Sequence, residues 1–207
     1  MTRREVRLSG FGGQGIILAG NILGKAAAIH DGKHATFTQS YGPEARGGAC
    51  AAEVVIDEQP VHYPHIVDPS VLVVMSQGAY YRYVPELRPD GLLITDGDLV
   101  ELDEKAAGRR ILSIPATRIA EEHGRKLIAN IVMLGFLAAV TDLVSVDALR
   151  DAALSSIPPK TIDLNRRALL ALESGGILIS SSCSYHLSED MFRDVLLQAA
   201  QASGRQL

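Results

Sequence analysis

Alternation of polar and apolar positions at the start of the chain predicts a β-strand that runs directly into a glycine turn. Residues 5–8, Glu-Val-Arg-Leu, alternate strictly, as a half-buried strand does. Residues 9–15, Ser-Gly-Phe-Gly-Gly-Gln-Gly, follow, and a helical pattern then extends over residues 16–29. Strand, glycine turn and helix together predict the first βα unit of an α/β fold.

Short apolar runs separated by turn residues continue this pattern through the first half of the chain. Asp57, Glu58 and Gln59 read as a hairpin turn, with a return strand that begins at Pro60. A short helical stretch covers residues 78–84. Strands that alternate with helices predict a mostly parallel sheet flanked by helices. The predicted strands are residues 34–38, 49–56, 71–75, 92–96 and 110–114.

The second half of the chain carries helical patterns. Residues 117–123 predict a short helix, and residues 126–141 predict a long helix that is apolar almost all round. Such a helix is buried, either in the core of its own chain or against a partner chain. Ser145 can cap a helix over residues 146–155, and Thr161 can cap another over residues 162–172.

A Gly-Gly pair at residues 175–176 predicts a boundary near residue 173. We expect one domain over residues 1–173, with the glycine turn after its first strand. Residues 174–207 then form a small appended strand-helix segment, either a native addition or a fusion scar. The chain shows no internal repeat and no low-complexity segment.

Composition excludes several classes of function. A net charge of −4 without a basic block, together with the absence of Trp, argues against nucleic acid as a partner. Two cysteines, far apart in sequence, match no metal-binding spacing and suit a reducing cytoplasm. No signal peptide is visible, and the longest apolar run, residues 127–140, falls short of the roughly 20 residues that span a bilayer. We therefore expect a cytoplasmic chain without a membrane partner.

The glycine turn is the first candidate for binding. Gly10, Gly12 and Gly15 satisfy the spacing G-x-G-x-x-G, which can leave helix N–H groups open toward an anion. The same glycines could equally serve a tight turn that packs helix on strand. Gln14 could bind a ligand or only hold the turn. A dinucleotide site would add an acidic residue after the second strand, and Thr38 and its neighbours provide none, which counts against NAD.

A second candidate cluster lies in residues 40–48, Ser-Tyr-Gly-Pro-Glu-Ala-Arg-Gly-Gly, which read as an ordered loop. Arg46 could clamp a phosphate or carboxylate through two hydrogen bonds, or pair with Glu44 at a subunit surface. Asn130, inside the apolar helix, is more often a satisfied buried polar group than a ligand. We expect the thiol of Cys50 to be a small buried apolar group, and we assign Cys183 no catalytic role. His62 and His65 are expected on a surface loop.

Residues 1–173 resemble the gamma subunit of thiamine-diphosphate-dependent 2-oxoacid:ferredoxin oxidoreductases. Four motifs carry the resemblance: residues 10–15, residues 40–48, Ile119-Ala120, and residues 129–135. The form of residues 40–48 is most similar to 2-oxoglutarate-type members, and pyruvate and indolepyruvate types stay open. The resemblance implies a multisubunit enzyme that decarboxylates a 2-oxoacid, passes electrons to ferredoxin and forms an acyl-CoA.

The same resemblance implies where the cofactors and partners are. Thiamine diphosphate, magnesium and iron–sulfur clusters belong to partner subunits, alpha and beta with a delta subunit left open, and no catalytic or metal-binding residue is assigned to this chain. Contact with coenzyme A is expected from this chain. The candidate binding residues are Gly10, Gly12, Gly13, Gln14, Gly15, Ser40, Tyr41, Glu44, Arg46, Gly47, Gly48 and Asn130.

Residues 175–207 are similar to a C-terminal fragment of S-adenosylmethionine-dependent RNA methyltransferases, around the Ser-Cys-Ser of residues 182–184. The fragment lacks the glycine loop and acidic residue of such enzymes, so no methyltransferase activity is expected. Two rivals to the oxidoreductase subunit remain. One is a free-standing nucleotide-binding oxidoreductase, and the other is an assembly subunit whose glycine turn binds nothing.

Overall fold

A computed structural model describes residues 3–40, 49–122 and 128–156, and these residues form a six-stranded sheet with helices on both faces. The strands are β1 (Arg4–Phe11), β2 (His34–Ser40), β3 (Ala49–Asp57), β4 (Val71–Val74), β5 (Leu92–Asp96) and β6 (Arg110–Ile114). The helices are α1 (Ile16–Lys25), α2 (Gln77–Tyr83), α3 (Ala116–Glu122), α4 (Ala129–Val140) and α5 (Val146–Ser156).

The strand order is β2-β3-β1-β4-β5-β6. Strands β1, β4, β5 and β6 pair in parallel, while β3 pairs antiparallel with both β1 and β2. Only β3 therefore runs against the other described strands. The predicted α/β class, with a mostly parallel sheet flanked by helices, is confirmed.

The two faces of the sheet carry different layers. Helices α1, α3, α4 and α5 cover one face and share a continuous apolar core with Val6, Leu8, Val73 and Ile94. Helix α2 and two short 3₁₀ turns, Val84–Glu86 and Glu104–Ala106, cover the other face over β4, β5 and β6. Every residue of β4 and β5 is buried, as in strands that are covered on both faces of a sheet.

Helix α4 lies inside this core. Its residues from Ala129 to Ala138 are all buried within the chain, so the predicted apolar helix packs in its own core. Ser145 caps α5 as predicted, since its hydroxyl accepts a hydrogen bond from the backbone N–H of Ala148 at 3.1 Å. Helix α1 continues into a single π-helical turn, Ala26–His30, which ends the predicted helical stretch one residue late.

The predicted return strand after Asp57 is wrong. Residues 58–70 form an irregular connection to β4 in which His62 and His65 are exposed, as expected of a surface loop. The guanidinium of Arg3 donates to the carbonyl oxygens of Tyr63 and His65, both at 2.9 Å. Because these carbonyls are satisfied by a side chain, the segment needs no partner strand. The hairpin partner of β3 is instead β2.

Several expectations lie outside the described residues. These are the helix over residues 162–172, the boundary near residue 173, the appended segment 174–207 and the loop over residues 41–48.

Candidate functional site

The sheet register brings the residues at either end of the second candidate cluster to the edge that carries the glycine turn. Phe11, at the start of the glycine turn, lies opposite Ala49, the first residue of β3. Ser9 pairs with Ala51, which pairs in turn with Ser40, the last residue of β2. Ala49, which follows the second motif, therefore lies beside the glycine turn, and Ser40, the first residue of that motif, lies two strands away at the same edge of the sheet.

This edge contains the carboxyl ends of β1, β4, β5 and β6. The chain turns from β1 toward β2 on one side of the sheet and continues through β4 on the other side. Ligands of open α/β sheets bind at such a point, where the strand order reverses. The insertion of β3 between β1 and β2 also removes the position from which a dinucleotide fold presents its ribose-binding acid.

The glycines of the turn have different structural roles. Gly10 lies within β1, where an added Cβ would collide with the amide oxygen of Gln14. Gly13 and Gly15 have φ angles of +103° and +73°, which favour glycine. A Cβ on Gly12 or Gly13 would meet no atom of the described part of the chain within 4 Å, so none of the described residues packs against this part of the turn.

The side chain of Gln14 is used within the chain at both ends. Its amide oxygen accepts from the backbone N–H of Phe11 at 2.9 Å, and its amide nitrogen donates to the carbonyl oxygen of Met75 at 2.6 Å. Met75 follows β4, and its own N–H donates to the carbonyl of Ser9 at 2.9 Å. Gln14 therefore fastens the turn after β1 to the end of β4.

Asn130 supports the other end of the turn. It lies near the start of α4, is buried, and donates from its side-chain amide to the carbonyl oxygen of Gly15 at 3.1 Å. Gly15 is the N-cap of α1, and no side chain caps this helix. The first turn of α1 carries no acidic residue. Among the described residues, no acidic side chain or capping group therefore occupies the positive end of its dipole, which could accept an anion.

A buried carboxylate that the sequence did not single out lies farther along the same edge. Asp96 ends β5, is fully buried, and accepts hydrogen bonds from the hydroxyl and the N–H of Thr117 at 2.6 and 3.0 Å. Burial raises the pKa of the Asp96 carboxyl, although the bonds from Thr117 and the N–H of Asp98 oppose that rise. The only signal in sequence was an Asp that ends an apolar strand.

A charged group on the α2 side of the sheet was also not predicted. Arg7 of β1 is buried and bonds to Glu53 of β3 at 2.8 Å and to Glu86 after α2. Its guanidinium lies 5.0 Å from the ring centre of Tyr83, whose buried hydroxyl has no hydrogen-bond partner among the described residues.

Cys50 is buried, as expected, and burial raises the pKa of its thiol.

The structure thus brings together Gly10, Gly12, Gly13, Gln14, Gly15 and Asn130, with Ser40 two strands away. The other candidates, Tyr41, Glu44, Arg46, Gly47 and Gly48, and also Cys183, lie outside the described residues. Within the part of the chain that is described, no group of three or more His, Cys, Asp or Glu side chains could hold a metal ion. No described helix is long and apolar enough to cross a membrane.

Comparison with known proteins identifies relatives over most of the chain. Residues 5–172 match the family model "Pyruvate ferredoxin/flavodoxin oxidoreductase". The 2-oxoglutarate synthase subunit KorC of Methanocaldococcus jannaschii is 49% identical over 175 residues, 84% of this chain and 92% of that protein. The pyruvate synthase subunit PorC of Methanothermobacter marburgensis is 35% identical over 167 residues, 79% of this chain and 92% of that protein.

A solved structure of a related protein is consistent with these sequence matches. The gamma subunit of a keto/oxoacid ferredoxin oxidoreductase from Geobacter sulfurreducens PCA matches with a TM-score of 0.74 and 40% identity, over 82% of this chain and 93% of that chain. The resemblance of the last residues to RNA methyltransferases is not borne out by the comparisons.

Proposed function

Because the chain belongs to the pyruvate ferredoxin/flavodoxin oxidoreductase family, as the gamma subunit of a 2-oxoacid:ferredoxin oxidoreductase, we propose that its complex oxidises 2-oxoglutarate. The support is the identity to a 2-oxoglutarate synthase subunit, 49%, against 35% to a pyruvate synthase subunit. The products would be succinyl-CoA and carbon dioxide, with two electrons passed to ferredoxin.

The cofactors of this reaction are proposed to be in partner subunits, alpha and beta, with a delta subunit left open. Thiamine diphosphate with magnesium would carry the decarboxylation, and iron–sulfur clusters would carry the electrons. The whole chain contains two cysteines, fewer than the four thiolates that such a cluster usually takes. The complex is expected in the cytoplasm, where such clusters and free thiols persist.

The contribution of this chain is proposed to be a contact with the phosphates of coenzyme A at the glycine turn. The observation that carries this proposal is the start of α1, which no described side chain caps and where a Cβ on Gly12 or Gly13 would meet no described atom within 4 Å. Backbone N–H groups at such a helix start attract phosphate through partial positive charge. Arg46 would add a guanidinium to the same contact, because Ser40 and Ala49, between which Arg46 lies in sequence, are both at this edge of the sheet.

Gly12→Ala in the assembled complex tests this contact. The new methyl group meets no atom of the described residues within 4 Å and no positive φ is involved, so folding should be unaffected. A phosphate that approaches the turn would meet the methyl, and we expect the KM for coenzyme A to rise several-fold while the KM for 2-oxoglutarate stays constant. Gly78→Ala is the matched control, because its added Cβ also meets none of the atoms in the described ranges within 4 Å.

An unchanged KM for coenzyme A in Gly12→Ala would favour the rival in which this chain only assembles the complex. Purification of the complex from its source, with identification of the co-purifying subunits and of the preferred 2-oxoacid, tests the substrate proposal. A preference for pyruvate would overturn it.

A further inference from the structure

The amide of Gln14 connects three parts of the edge that are separate in sequence. It accepts from Phe11 at the end of β1 and donates to the carbonyl of Met75 at the end of β4. The absence of a side chain on Gly10 makes room for it, because a Cβ there would overlap the amide oxygen. These contacts place Gln14 at the point where the strand order reverses.

The two hydrogen bonds of Gln14 hold the conformation of the glycine turn and give Gln14 no direct contact with a ligand. The amide oxygen and the amide nitrogen of Gln14 are both hydrogen-bonded to backbone atoms, at 2.9 and 2.6 Å, so the polar end of this side chain faces the protein itself. The neighbouring Gly12 and Gly13 are exposed. A turn with two adjacent glycines has many unfolded conformations, and a fixed clamp beside it lowers the entropy lost when a ligand binds.

We propose that Gln14 is a positioning residue, which presets the glycine turn for an anionic group without touching that group. The proposal rests on the function proposed above, in which this turn contacts the phosphates of coenzyme A. It predicts that loss of the clamp weakens coenzyme A binding by loosening the turn, while the reacting groups in the partner subunits keep their rates.

The test uses Gln14→Met in the assembled complex, because methionine has a similar length, no charge and neither hydrogen bond. Gln77 provides a matched control in the same domain. Its amide also makes two backbone bonds, accepting from the N–H of Glu101 at 2.7 Å and donating to the carbonyl of Glu101 at 3.1 Å. Gln77→Met therefore removes the same two kinds of bond away from the glycine turn.

We expect Gln14→Met to raise the KM for coenzyme A about tenfold with kcat nearly unchanged. Hydrogen exchange at the backbone N–H groups of residues 11–15 should accelerate in the same variant. Gln77→Met should lower the melting temperature comparably and leave the KM for coenzyme A unchanged. Equal KM values in the two variants, or a fall in kcat without a change in KM, would overturn the positioning role.

Gly12→Ala separates this inference from the function on which it rests. A raised KM in Gly12→Ala with none in Gln14→Met would overturn only the positioning role of Gln14. Unchanged KM values in both variants would overturn the coenzyme A contact as well.

Discussion

The side-chain amide of Asn130 donates a hydrogen bond to the carbonyl oxygen of Gly15 at 3.1 Å, across 115 positions of sequence. The same amide occupies the space where a Cβ on Gly15 would lie, since an ideal Cβ would come within 2.5 Å of its nitrogen. Helix α4 therefore fixes the start of α1 through one polar contact and one close approach. Gly15 is required both for its φ of +73° and for this lack of space.

Gly15→Ala should destabilise the chain by more than the backbone strain alone, which is about 1–2 kcal/mol for a left-handed residue. The excess is the collision with Asn130, so Gly15→Ala should cost less in an Asn130→Ala background. Urea unfolding of the two single variants and the double variant gives this coupling. An equal cost of Gly15→Ala in both backgrounds would contradict the close approach. Gly12→Ala is the control and should be nearly neutral.

Two buried tyrosines of α2 should respond differently to the loss of their hydroxyl groups. The hydroxyl of Tyr80 donates to the carboxylate of Asp103 at 2.7 Å and accepts from its N–H at 3.1 Å. The hydroxyl of Tyr83 has no hydrogen-bond partner among the described residues. Tyr80→Phe should lower the free energy of unfolding by about 1 kcal/mol, whereas Tyr83→Phe should leave it unchanged or raise it.

Thermal and urea unfolding of the two phenylalanine variants measures this difference. A destabilisation of Tyr83→Phe as large as that of Tyr80→Phe would show that the hydroxyl of Tyr83 has a partner in solution. Spectroscopic titration of the tyrosines checks the burial of Tyr80 separately. Because burial raises the pKa of its hydroxyl to about 12, Tyr80 should ionise at a higher pH than an exposed tyrosine.

Glu5 should make the fold sensitive to acid. Burial alone would raise its pKa, but the N–H groups of Asp68 and Val67 and the side chain of Arg3 outweigh burial and lower the pKa overall. The ionised carboxylate therefore stabilises the fold above its unfolded pKa, about 4.3, and this stabilisation is lost as the pH falls through the lower folded value.

Glu5→Gln is expected to be less stable than the parent chain at neutral pH, with a difference that shrinks as the pH falls below about 4. Urea unfolding at a series of pH values measures it. Glu122→Gln, at an exposed position, controls for the change of charge. A difference that does not vary with pH would contradict the lowered pKa of Glu5.

Asp96 should have the opposite dependence on pH. Its pKa is raised by burial, so the protonated form is favoured in the fold. The associated stability is fully present below the unfolded pKa, about 3.9, and is lost as the pH rises through the higher folded value. The Asp96→Asn variant lacks this titrating carboxyl group. The stability of the parent chain relative to Asp96→Asn should therefore decrease between low and neutral pH.

Thr117→Val sharpens this test, because it removes the hydroxyl that donates to Asp96 at 2.6 Å. Loss of that donor should raise the pKa of Asp96 further and move the transition to higher pH. If the stability of the parent chain relative to Asp96→Asn instead increases with pH, the hydrogen bonds that Asp96 accepts lower its pKa by more than burial raises it.

Local pattern was sufficient for the elements of this fold. Alternation and apolar runs located the six strands, because strand burial repeats every two residues and is written directly in the sequence. The apolar surface of α4 predicted its burial, and Ser145 predicted the start of α5. The glycine turn was predicted from the spacing of Gly10, Gly12 and Gly15, and of these Gly15 has a positive φ, which favours glycine.

Tertiary structure alone decided which elements are neighbours. Period-two alternation identifies a strand but not its partner, so the antiparallel position of β3 between β1 and β2 was not predicted, and a return strand after Asp57 was predicted wrongly. The bonds of Gln14 to Met75 and of Asn130 to Gly15 arise from chain segments 61 and 115 positions apart. Such contacts depend on the packing of complete layers, which no local pattern of residues records.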